Sequence, residues 1–366
     1  MAVTESRTVT PSEAKSRVKA CFDVKRPVFL WGPPGIGKSE LVEGITKELG
    51  GHMIDLRLGQ MEPTDIRGIP FFNKNSEKMD WAPPVDLPDQ EMADQYPVIV
   101  LFLDEMNSAA PSVQAAGYQL ILNRRIGKYV LPDNVVIVAA GNRESDKGVT
   151  YRMPSPLANR FVHLEVRPDF DSWFQWAVNN NVASDVVGYV SFAKQSLMSF
   201  DAKSASRAFA TPRSWSFVSQ FLKQPNISDA ELNDLISGTI GEGLALSFMA
   251  HRKVAGSMPN PTDVLSGKVT ELKVKEVSAM YSLTISMCYE LQEQYKKLGK
   301  DKIADWHKQA DFFLAFMMEN FSTELVVMGA RVALTTYNLP MVPGKMKNFD
   351  EFHKRFGKYI IAASGK

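Results

Sequence analysis

The sequence predicts an α/β domain built on a parallel sheet with an inserted β-hairpin, followed by an α-helical lid and a helical C-terminal region. Three observations carry this prediction. Four apolar, strand-forming runs (Val28 to Trp31, Met53 to Leu58, Val98 to Leu103 and Val135 to Ala140) have helical patterns between the first two and after the third, the order of a parallel sheet covered on both faces. A glycine-rich turn joins the first run directly to an amphipathic helix. Beyond Gln224 the pattern is helical only. The chain has 366 residues, enough for about two domains. The expected division is 1–168 for the α/β domain, with its insertion at about 59–97, then 169–260 for the lid and 261–366 for the C-terminal helices.

Composition narrows the partners. Lysine and arginine number 42 against 41 aspartates and glutamates, a net charge of +1, so no overall basic charge advertises nucleic acid or an anionic membrane, although local patches stay open. The two cysteines, Cys21 and Cys288, have apolar neighbours and fit reduced thiols better than a disulfide or a metal site. Met1 to Thr10 has no apolar leader core, and no apolar run could span a bilayer, so a soluble, cytoplasmic protein is expected.

Taken in order, Thr10-Pro11-Ser12-Glu13 starts a helix, with Thr10 as N-cap, Pro11 at the first helical position and Glu13 closing a capping box. Gly32-Pro33-Pro34-Gly35-Ile36-Gly37-Lys38-Ser39 then fits G-x-x-x-x-G-K-[ST] at every fixed position. Glycines let the backbone fold around an anion, so that successive N–H groups and the next helix N-terminus face phosphate. On this reading Gly32 to Ser39 and the following Glu40 bind nucleotide, Lys38 reaches the β- and γ-phosphates, and the Ser39 hydroxyl ligates Mg²⁺. Leu41, Val42, Ile45 and Leu49 stripe the helix, and Gly50-Gly51 ends it.

The prolines between Gly59 and Pro97 forbid one long helix there. Ile69 to Phe72 and Met79 to Trp81 flank a polar turn and read as a hairpin. A long insertion in a compact domain is functional or a disordered linker, and the apolar arms favour function. The third strand ends in Asp104-Glu105. Asp104 would hold Mg²⁺ through its water shell, and Glu105 would orient and activate the attacking water; the plainer alternative is an acidic cap for the next helix. Asn142, just past the fourth strand, could orient the same water or simply end the strand.

These pieces, in this order, resemble the AAA+ ATPases, and within them the MoxR family, over Arg26 to about Trp215. The resemblance rests on Gly32 to Ser39 as Walker A, Asp104-Glu105 as Walker B, Asn142 as sensor 1, Ser155 to Phe161 as the arginine-finger segment, and Ala210-Thr211-Pro212-Arg213 as sensor 2. Met61 to Gly68 looks like the start of the helix-2 insertion of that clade. The resemblance implies an AAA+ P-loop NTPase fold and a homo-oligomeric ring, usually a hexamer, that binds ATP and Mg²⁺ at subunit interfaces. It also implies a chaperone-like remodeller working with a von Willebrand factor A (VWA) domain protein. Arg160 is the finger residue, acting on the neighbour's nucleotide, and Arg213 would be held over the γ-phosphate. Arg143 and Arg152 are either further trans contacts or surface residues. A VWA domain carries D-x-S-x-S, and Asp201 to Ser206 has one residue too many, so that domain is expected on a separate chain. A metal-chelatase motor subunit, a nucleotide-gated scaffold and a DNA-translocating relative are the alternatives; Glu105 argues against the scaffold, and the near-zero net charge weakens the DNA translocator.

Farther on, Val277, Tyr281, Ile285, Cys288, Tyr295 and Leu298 fall near one helical face, and Phe312, Phe313, Phe316 and Phe321 form an aromatic segment, both read as core or subunit interface. Phe349 to Ile361 reads as a C-terminal helix docked on the lid rather than a membrane or calmodulin-binding helix.

Overall fold

The computed structural model describes residues 7–146, 150–151, 153–204, 206–273, 275–298 and 303–363, the last five of these by backbone alone. They form two compact units, Met1–Ser172 with Phe200–Ala205 and Thr211–Arg213, and Trp173–Ser199 with Ser206–Ala210 and Ser214–Lys366.

In the first unit β1 (Thr8–Val9) leads into α1 (Pro11–Asp23) through the expected capping box: the Thr10 side chain accepts from Glu13 N–H, and Glu13 accepts from Thr10 N–H. There follow β2 (Val28–Trp31), α2 (Lys38–Glu48), β3 (His52–Arg57) and α3 (Pro63–Arg67). The hairpin is β4 (Ile69–Asn73) and β5 (Lys78–Ala82), after which come α4 (Gln90–Ala93), β6 (Ile99–Asp104) and α5 (Pro111–Asn123). A short second hairpin, β7 (Arg125–Ile126) with β8 (Tyr129–Val130), precedes β9 (Val135–Gly141), α6 (Ser155–Ala158) and β10 (Val162–Val166).

The main sheet runs β1-β10-β2-β9-β6-β3, and every neighbouring pair is parallel. All strands therefore end at one edge, where ligands of open α/β sheets bind. Alternation along the strands builds two cores. Val28, Leu30, Val100, Phe102, Val136, Val138 and Ala140 pack with residues of α1 and α2 on one face, while Phe29, Leu101, Leu103, Ile137 and Ala139 pack with α5 on the other. Both faces are thus buried, which is why these strands read as unbroken apolar runs.

In the insertion, Phe72 pairs across the hairpin with Met79, and Pro70 with Trp81, so these four share one face. Ile69, Phe71, Phe72, Met79 and Trp81 are all exposed, at 44% to 66%. Asp80 bonds Lys128 of the second hairpin, tying the two hairpins together.

The second unit is helical: α7 (Phe170–Asn179), whose first residues belong to the first unit, α8 (Ser184–Phe192), α9 (Pro212–Leu222, whose first two residues do likewise), α10 (Asp229–Ile240), α11 (Glu242–Ala255), α12 (Pro261–Leu265), α13 (Val277–Lys297), α14 (Ile303–Asn320), α15 (Thr323–Arg331) and α16 (Lys347–Ala363). α13 lies among α8, α11, α12, α14 and α15. The single face expected for it is therefore too narrow: Ala279, Met280, Leu283, Met287 and Leu291 are buried with Ile285 and Cys288, whereas Val277 and Tyr295, near its ends, are exposed. On α14 Phe313 and Phe316 are core and Phe312 is exposed. Both cysteines are free. No described helix is long and apolar enough to cross a membrane.

Candidate nucleotide-binding site

At the C-terminal edge of the sheet the loop after β2 turns through Gly35 and Gly37, with φ of +74° and +94°. Side chains other than glycine rarely take that geometry. A Cβ on Gly35 would also stand 2.6 Å from Thr211 Oγ1, so the loop closes against the segment that carries Arg213. Arg213 N–H donates to Gly35 C=O at 3.2 Å, which brings the segment read above as sensor 2 to the loop. α2 begins at Lys38 with glycine at its N-cap and no side-chain cap hydrogen bond, the arrangement of an anion-binding helix N-terminus. Ile36 is buried, and Glu40 lies exposed in that first turn.

Lys38 Nζ donates to Gly32 C=O (2.8 Å), Pro33 C=O (3.2 Å) and Asn142 Oδ1 (3.2 Å). Its ammonium is enclosed, and desolvation pulls its pKa down to about 8; Asp104 and Asp146 oppose the shift, while Arg213 and Arg143 add to it. These carboxylates offset the desolvation only in part, and phosphate would supply further negative charge. Ser39 Oγ donates to Asp104 Oδ2 at 3.3 Å, so a hydroxyl and a carboxylate already converge, an all-oxygen donor pair that fits Mg²⁺. Glu105 follows with φ +53° and an exposed side chain, and its own N–H donates to Asp104 Oδ1 at 2.8 Å. Its carboxylate lies over Gly59, at the start of the insertion. On the neighbouring strand, burial raises the Asp55 carboxyl pKa, and the charge of Asp104 raises it further.

Two of the arginines are placed clearly. Arg143 is held within its own unit by Asp146 (2.8 Å) and Glu165 (3.2 Å), which keep its guanidinium charged. Arg160 is exposed just before β10, whose first residue, Val162, lies opposite Val28 at the start of β2. From that level to Gly32 is about 13 Å along the strands. Arg160 thus stands toward the sheet edge opposite its own loop. His163 Nε2 bonds Ala158 C=O at 2.8 Å and its Nδ1 accepts from Trp31 Nε1 at 2.9 Å, so the α6 turn before Arg160 is tied to the strand that leads into the loop. Arg152 lies outside the described residues.

Sequence reasoning overlooked several groups here: Asn107, two residues past Glu105; Asp146, three past Arg143; and Thr211, quoted above only as part of a motif. Spacing alone signals just the Arg143–Asp146 pair. The other two depend on which loops meet in space.

A strand, a glycine loop and a helix N-terminus beside a strand-end aspartate define a P-loop nucleotide hydrolase. Residues 28–167 match the model of the AAA family, ATPases associated with various cellular activities, a span holding the loop, Asp104-Glu105, Asn142 and Arg160. That segment is an AAA+ P-loop NTPase domain, and ATP hydrolysis is its activity. Over 198 residues, 51% of this chain, the sequence is 26% identical to midasin of Giardia intestinalis, but the match spans only 4% of that protein. Among solved structures, the Holliday junction branch migration motor RuvB of Thermotoga maritima overlaps 84% of this chain and 86% of its own at 15% identity and TM-score 0.35. Hsp104 in a closed state with casein overlaps 67% and 46% at 16% identity and the same score. Overlap at this level carries neither a shared substrate nor a shared assembly.

Proposed function

We propose that the chain is the ATP-hydrolysing motor of a MoxR-like ring, a hexamer of this chain, that remodels protein clients together with a VWA-domain protein on a separate chain. The observation that carries the reading is the convergence of Lys38, Ser39, Asp104 and Asn142, from three strand ends, into one bonded group at the sheet edge. In the proposed site Gly32 to Ser39 cradle the phosphates and Lys38 neutralises the β- and γ-phosphates. Ser39 and Asp104 hold Mg²⁺, which when bound offsets charge on the transferring phosphoryl group. Glu105 takes a proton from the attacking water, and the Asn142 amide orients that water. Arg213 sits with the loop and serves as the sensor of the γ-phosphate. Arg160, exposed before the start of β10, serves the neighbour's site, where such a finger is worth roughly 10³ to 10⁵ in rate. Arg143, occupied by Asp146 and Glu165, is the weaker trans candidate. In this reading 1–168 is the motor domain, 169–260 the lid that answers to nucleotide, and 261–366 a helical extension.

Mixed assemblies test it. Arg160→Ala copies keep a loop and lack a finger, while Lys38→Ala copies keep the finger and lack the loop cation. Co-assembled, they should regain ATPase activity at interfaces that pair the intact halves. Verified mixed rings as inactive as the separate variants would remove Arg160 from the neighbour's site.

A further inference from the structure

Three consecutive carbonyls end β9, and each is taken by a different donor. Ala140 C=O accepts from Met106 N–H at 3.0 Å, and Gly141 C=O from Gly32 N–H at 3.3 Å. Asn142 C=O accepts from Asn107 Nδ2 at 2.8 Å. The turn after Asp104-Glu105 and the phosphate loop thus grip the strand end from both sides. With its carbonyl held, Asn142 presents its Oδ1 toward Lys38 Nζ, on the site side.

Asn107 is 3% exposed and tightly seated. A Cβ on Gly141 would fall 2.1 Å from its Oδ1 and 2.8 Å from its Cγ, so only glycine leaves room for the amide. Its own C=O accepts from Tyr151 N–H at 2.7 Å. Its Oδ1 is buried and has no partner among the described residues. Turning the amide over would set that oxygen against the Asn142 carbonyl, so the orientation is dictated by the one donor bond. A buried amide left half satisfied gains little for packing, and its single bond goes to the residue that faces the reaction.

We propose that Asn107 is a positioning residue for ATP hydrolysis: its Nδ2–H fixes the backbone of Asn142, and through it the angle at which the Asn142 amide meets the attacking water. The inference rests on the assignment of Asn142 to that water.

The test is a double-mutant comparison of kcat, ATP KM and melting temperature on the full chain. Asn142→Ala should lower kcat by about 10² with KM within about twofold. Asn107→Ala should lower kcat by about tenfold or more, again with KM little changed and the melting temperature within a few degrees. Because Asn107 acts through Asn142, the double variant should be no slower than Asn142→Ala alone. Losses that multiply in the double variant, or an Asn107→Ala effect on KM or melting alone, would overturn the inference while leaving Asn142 in place. An unchanged kcat in Asn142→Ala would instead overturn the assignment beneath it. If Asn107→Ala does not fold, Gly141→Ala serves: its methyl displaces the Asn107 amide, and the same comparison with Asn142→Ala decides.

Discussion

At Gly35 the backbone is left-handed and its Cα faces Thr211, so alanine would add strain and a clash together. Strain of this kind costs of order 1–3 kcal/mol at one residue. Gly35→Ala should therefore weaken ATP binding by about tenfold or more while the sheet stays folded, read by nucleotide titration beside circular dichroism. Unchanged affinity would mean that the loop tolerates a second shape. At this scale the motif residues were legible, because phosphate chemistry demands glycine, lysine and serine at set spacings. Asn107 and Thr211 were not. Their roles depend on β9 lying between β2 and β6 and on residue 211 returning to the loop, and neither fact is written in local pattern.

Elements were read from periodicity, which works where one face is buried and fails where several are. α2 and α5 satisfy the first condition; α13, packed by five helices, does not. The same crowding explains a titration. His251 on α11 bonds Ser282 of α13 through Nε2 at 2.8 Å, its Nδ1 has no partner among the described residues, and Tyr189 and Phe248 pack on its ring. Burial pulls its pKa from 6.5 to about 4. Below about pH 6.5 the unfolded chain takes up a proton that the folded chain refuses, so this group's stability is full above that pH and is lost as pH falls through 4. The loss amounts to about 3 kcal/mol at most. Urea unfolding at pH 7 and pH 4.5 should show a smaller acid loss for His251→Gln than for wild type, and equal losses would contradict this account. The β4–β5 hairpin invites a second measurement. Phe72 and Trp81 are exposed, so on the proposed function Phe72→Ser with Trp81→Ser should leave basal ATPase and the proposed ring nearly intact and remove binding of the proposed partner, where such anchors are worth about 2 kcal/mol or more. Loss of assembly in that variant, where the wild type assembles, would make the hairpin part of the proposed ring's own packing.

For the molecule as a whole, a parallel sheet and a helical second half followed from the alternation of apolar runs, whereas the strand order and the strands β1 and β10 did not; the AAA match covers the span that carries the motifs up to Arg160 and stops short of Arg213. What the second unit does was not legible, because α10 to α16 offer core periodicity and no chemistry beyond it. The account's central claim lies in the first unit: binding and hydrolysis are separate tasks of Lys38 and Glu105. The most direct measurement is ATP affinity and phosphate release side by side for Lys38→Ala and Glu105→Gln. Lys38→Ala should lose binding, because in the proposed site its ammonium is the cation that faces the phosphates. Glu105→Gln should bind ATP as wild type does and release phosphate about 10² to 10⁴ times more slowly. Equal loss of affinity in both, or near-normal turnover by Glu105→Gln, would contradict the assignment of the base.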